Sequence, residues 1–123
     1  MKRSTVHATT VGRLVERFVA VALEQDTALF NDEIAKFNKL FDEMEDIKNE
    51  LKSRAGDQRS LLLPHYDRPN IQVRLKAALA TMDLSPGAAR QVFQKIADSR
   101  RYPQAADALA AIRRLDGKPL VRS

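Results

Sequence analysis

Between Val11 and Leu51, apolar residues return every three or four positions, in two blocks parted by Asn31-Asp32. That spacing places them on one side of a 3.6-residue turn, which makes each block an amphipathic helix. The first block, behind Thr10 as N-cap, presents Val11, Leu14, Val15, Phe18, Val19 and Ala22, and is expected to run to about Leu29. The second, with Asn31-Asp32 as turn and N-cap, presents Ile34, Phe37, Leu40, Phe41, Met44, Ile47 and Leu51, and Gly56 stops it. Its other face, Lys39, Asp42, Glu43, Asp46 and Glu50, reads as charged and solvated. Two such helices across so short a turn bury their stripes against each other, so residues 10–55 are expected to form an antiparallel hairpin. Residues 1–9 read as a flexible tail.

From Asp57 the helices shorten. Arg59 to Leu63 predicts a brief helix that Pro64 curtails, and residues 65–69 a turn. Asn70 caps a helix to about Met82. Ser85-Pro86 opens another, with Ala89, Val92, Phe93 and Ile96 facing inward. Arg100 to Pro103 breaks the chain, and a last helix carries Ala105, Leu109, Ile112 and Leu115 before Gly117. Residues 117–123 read as a second tail. The expectation is one all-α domain over 1–123: a hairpin followed by two short helix pairs in 57–116. A composition rich in Ala, Leu, Lys, Arg and Glu, with four glycines, agrees.

Residues 61–78, Leu-Leu-Leu-Pro-His-Tyr-Asp-Arg-Pro-Asn-Ile-Gln-Val-Arg-Leu-Lys-Ala-Ala, resemble a HEAT repeat, in which a leucine-rich helix end, a tight turn and a Val-Arg helix start recur. Asn70 would cap the second helix, Val73 and Ala77 would face the first, and Arg74 would reach back to the turn, with Asp67 the nearest acid. Ile71 and Thr81 depart from the pattern, standing where proline and leucine are usual. Residues 86–115 resemble a second, degenerate repeat. The chain as a whole is similar to the bacterial domain of unknown function 2019 family. The segments carrying that likeness are Leu14 to Phe18, Ile34 to Met44, Asn70 to Leu75 and Ser99 to Ala105. The resemblance implies a helical, HEAT-like fold and no assigned activity.

Catalysis requires convergent polar groups, and the sequence offers few. Cysteine is absent, which removes disulfides and thiolate chemistry and fits a reducing compartment. His7 falls in the expected tail and His65 in a turn, where a locally bonded or exposed role is expected. Asp42, Glu43, Asp46 and Glu50 lack the facing Glu-x-x-His ligands of a helical metal site. The four glycines are isolated, so no phosphate loop exists. No enzyme activity, metal or cofactor is expected. The apolar run Phe18 to Leu23 is too short to span a membrane, and Met1 to His7 has no apolar stretch behind it, so the chain reads as cytoplasmic, without a leader.

Charge then remains. Residues 32–52 carry seven acidic and four basic groups (−3), whereas residues 53–123 carry thirteen basic and six acidic (+7), within a net charge of +5. Arg59, Arg68, Arg74, Lys76, Arg90, Lys95, Arg100, Arg101, Arg113 and Arg114 would form a stripe. Gln72, Lys76 and Asp83 share one outward helical face, as do Gln104, Asp107 and Arg114. The leading expectation is a non-catalytic protein-interaction module with Lys76, Arg100, Arg101, Arg113 and Arg114 as candidate surface, and a homodimer through the hairpin as a variant. The alternative is nucleic-acid binding by the basic half, centred on Arg100-Arg101-Tyr102.

Overall fold

The apolar stripes form the helices their spacing predicts. In the computed structural model, which describes residues 3–117, α2 spans Val11–Phe30 and α3 spans Ile34–Ser53. They pack on each other as the hairpin of a first compact unit, Met1–Leu61. Leu14, Phe18, Val21, Ala22 and Ala28 of α2 are buried, as are Leu40, Met44, Ile47 and Leu51 of α3. Thr10 caps α2, its hydroxyl accepting from the Arg13 amide at 3.4 Å.

Four expectations change in this unit. The first concerns the expected tail over residues 1–9, within which Arg3–Ala8 is a short helix, α1, with Val6 buried. The Arg54 guanidinium holds it by donating to the carbonyls of Val6 (3.3 Å), His7 (3.4 Å) and Thr9 (2.8 Å), oxygens that a helix end leaves unsatisfied. Second, Asp32 does not cap α3. It takes the left-handed position after α2 (φ 58°), and the Glu33 amide reaches back to the Ala28 carbonyl at 2.8 Å, closing a Schellman turn.

Third, Glu43 and Glu50 leave the solvated face. Arg17 grips Glu43 through two nitrogens, at 2.5 and 2.9 Å, and reaches Glu24 with a third at 2.9 Å. Glu50 lies between Arg54 Nε (2.5 Å) and His7 Nδ1 (2.7 Å). These arginine hydrogen bonds hold both carboxyls below the usual carboxylate range. Fourth, the α3 stripe is only partly buried, at Leu40, Met44, Ile47 and Leu51. Ile34 is 68% exposed and Phe41 43%, and Phe30 at the end of α2 is 90% exposed.

The second unit is Leu62–Ser123. The division falls inside a 3-10 segment, Gln58–Asp67, which takes in the brief helix expected over Arg59 to Leu63 and runs past Pro64 into the expected turn. Pro64, within it, has no N–H for an α-helical ladder, and the chain stays in tight 3-10 geometry. Three α-helices follow, α4 (Ile71–Thr81), α5 (Pro86–Ser99) and α6 (Gln104–Leu115), all in mutual contact. Ile71, Leu75 and Ala78 meet Ala89, Val92, Phe93 and Ile96 of α5 and Ala108, Ala111 and Ile112 of α6 in one core. Val73, Ala77 and Thr81 are buried on the other side of α4, so this helix is covered on both faces. No strand occurs among the described residues, and no helix there is long and apolar enough to cross a membrane. The expected tail at 118–123 lies outside the described residues, as do Met1 and Lys2.

Thr81, Gln72 and Gln104, all buried in this unit, are hydrogen-bonded within it. Thr81 donates to the Ala77 carbonyl at 2.7 Å, and its oxygen takes the Tyr66 hydroxyl. Gln72 and Gln104, expected on outward faces, are instead inside, where the Gln104 side chain donates to that of Gln72 at 3.0 Å. This bond links α4 to α6 through the core.

A candidate binding cleft in the C-terminal unit

Asn70 fixes where α4 starts, its side chain accepting from the amides of Gln72 (2.9 Å) and Val73 (3.0 Å). Arg74 is therefore one turn into the helix. Long helical side chains lean toward the N-terminus, which carries its guanidinium back over the turn Asp67-Arg68-Pro69. From α5, Ala88, Gln91, Val92 and Lys95 come to the same place, one face by their three-four spacing. Together with Leu63, Tyr66 and Ser85 these residues line a cleft of about 680 Å³.

Its charge is uneven. Arg68, Arg74 and Lys95 face one carboxylate, Asp67. The ion pair expected between Arg74 and Asp67 is not formed, and the buried Arg74 Nε has no hydrogen-bond partner among the described residues. A charged donor in that state carries a desolvation penalty that a ligand acceptor or a bridging water removes. Arg68 is steered by His65, whose Nδ1 accepts from Arg68 Nε at 3.1 Å. Burial first, then the Arg68 charge, pushes the His65 imidazole below its ordinary value, which keeps that nitrogen free to accept. So His65 is locally bonded, as expected, but in the last turn of the 3-10 segment and not in a loop. The Tyr66 ring lines the wall with its hydroxyl committed to Thr81.

The sequence profile of the domain of unknown function DUF2019 matches residues 12–116. The chain belongs to the DUF2019 family. The crystal structure of the protein RPA1889 from Rhodopseudomonas palustris is similar to it over 96% of this chain and 98% of that one, at 42% identity and a TM-score of 0.88. No curated protein matches the sequence.

In this DUF2019 chain the other candidate residues are dispersed. Arg100 and Arg101 are exposed at the α5–α6 turn, with Arg100 in the left-handed region (φ 57°) and Tyr102 66% exposed. Arg113 and Arg114 are exposed at the far end of α6, roughly 15 Å away at 1.5 Å per residue. Lys76 is half-buried on α4, and none of these five lines the cleft. Arg59 and Arg90 leave the expected stripe by pairing with Asp57 (2.7 Å) and Asp116 (2.8 Å). Val73 and Ala77 are buried, so their part is packing. Among the described residues no group of His, Asp and Glu would hold a metal ion.

Proposed function

We propose that this DUF2019 protein is a non-catalytic protein-interaction module of the cytoplasm, built on HEAT-like helix pairs and binding through the cleft of its C-terminal unit. The observation that carries this reading is the unpartnered Arg74 Nε in a cleft bordered by Arg68 and Lys95. A recess of that size admits a few side chains of a partner. The HEAT-like part is supported by the Asn70 cap and by Ala77 and Ala78, fully buried and small enough for helices to approach closely.

A second reading is favoured by the hairpin tip. Phe30 and Ile34 are exposed there, with Asp32 and Glu33 between them in the chain and Lys36 and Lys39 just beyond, so a second copy laid antiparallel would cover the apolar pair and set base against acid. The two readings separate on the full-length tagged protein purified from its native cell. An Arg74→Gln/Lys95→Gln variant is expected to lose a stoichiometric partner that a Phe30→Ser/Ile34→Ser variant keeps. Retention by the cleft variant would overturn the first reading. Light scattering in which only the tip variant turns a dimer into a monomer would favour the second.

A further inference from the structure

We infer that the cleft recognises a carboxylate on an acidic, partly apolar peptide segment of the partner protein. This rests on the binding-module reading above. Three independent features converge on an anion. The lining has three cations against one carboxylate, the Arg74 Nε–H lacks an acceptor, and the α5 N-terminus at the cleft edge is unneutralised. In α5 the first turn has no acidic residue, and Ser85 at the N-cap makes no side-chain capping bond. Other helix starts in the same fold show the contrast: Asn70 caps α4 with its own side chain, and α6 has Asp107 in its first turn. A bound carboxylate would accept from Arg74 and face the positive end of α5 together.

The remaining lining chooses among anions. Leu63, Tyr66, Pro69, Ala88 and Val92 give the cleft an apolar wall. Tyr66 is the one aromatic in the lining, its hydroxyl bonded to Thr81, and the exposed Tyr102 lies outside the cleft, so the cations lack the series of aromatic faces on which successive bases stack. Asp67, which lines the same cleft, would repel the dense charge of a polyphosphate backbone more than a single carboxylate and would accept from a peptide N–H. A glutamate or aspartate beside a leucine-like side chain satisfies every part of this lining.

The test uses the full chain and a ten-residue peptide alternating glutamate with leucine, its glutamine counterpart, inorganic phosphate and a single-stranded RNA oligomer. Arginine Nε–H signals are followed by NMR. The acidic peptide is expected to shift the Arg74 Nε–H signal saturably, while the glutamine peptide leaves it unmoved. Affinity is expected to fall at least tenfold in Arg74→Gln and also in Lys95→Gln, whose exposed position spares the fold. An Arg74 signal unmoved by the acidic peptide, or moved more readily by phosphate or RNA, overturns the carboxylate assignment. If the acidic peptide fails while the native partner still depends on Arg74 and Lys95, the interaction reading stands and only the carboxylate falls.

Discussion

Truncating Phe93 to alanine is expected to cost the C-terminal unit about 3–5 kcal/mol, a large share of the stability of a chain this size. Phe93 is fully buried at the centre of the α4–α5–α6 core. Its neighbours include Ala78, Ala89, Ala108 and Ala111, whose side chains are too short to swing into the space left behind. The cavity therefore stays open, which is the condition under which such truncations cost most. A urea titration followed on the amide signals of α4 to α6 reads the effect. Leu109→Ala on the same unit is the control, because Leu109 is 45% exposed and its loss is expected to stay within about 0.5 kcal/mol. A Phe93→Ala loss no larger than that of the control would mean that this core is assigned wrongly.

The second large effect is polar. Gln104→Ala is expected to cost about 1–3 kcal/mol, because it strands the buried Gln72 oxygen without this donor. Replacing both glutamines with leucine removes the orphan along with the bond. The double variant is expected to be more stable than either Gln→Leu single variant, and the cycle to show a coupling above about 0.5 kcal/mol. Additive single effects in the urea midpoints would show that the two side chains do not act as a pair.

This pair marks the limit of what the sequence discloses. Periodicity and caps locate helices well: Thr10 and Asn70 cap where expected, α5 opens at Pro86, and Gly117 takes a positive φ just past α6, although α3 already ends at Ser53, short of Gly56. Periodicity says which residues share a face, not what covers it. Ile34 and Phe41 have the same spacing as Leu40 and Ile47, yet Ile34 is 68% exposed and Phe41 43%. Gln72 and Gln104 are thirty-two positions apart, and their mutual satisfaction emerges only once α4 and α6 are in contact. A short helix such as α1 has too few turns for a pattern, and it is held by Arg54 from far along the chain.

The cleft was half legible. Arg68, Arg74 and Lys95 belong to the basic stripe read from the sequence, but nothing there distinguishes them from Arg59 or Arg90, which find acids in the fold. What separates Arg74 is that its buried Nε has no hydrogen-bond partner among the described residues, a property of three dimensions. The available signal was its place one turn after the Asn70 cap, from which its side chain returns to the turn. The doublets Arg100-Arg101 and Arg113-Arg114 were conspicuous because they are adjacent in sequence, whereas helix packing gathers residues from separate segments.

Site-specific photo-crosslinking in the native cell tests the central claim most directly. A benzoylphenylalanine at Gln91 is exposed on the cleft lining, and one at Gln94 is exposed on α5 outside it. The account predicts a discrete protein adduct from position 91 that disappears in the Arg74→Gln and Lys95→Gln backgrounds, and none from position 94. A position-91 probe that captures no protein, captures nucleic acid, or gives an adduct indifferent to both substitutions would contradict it.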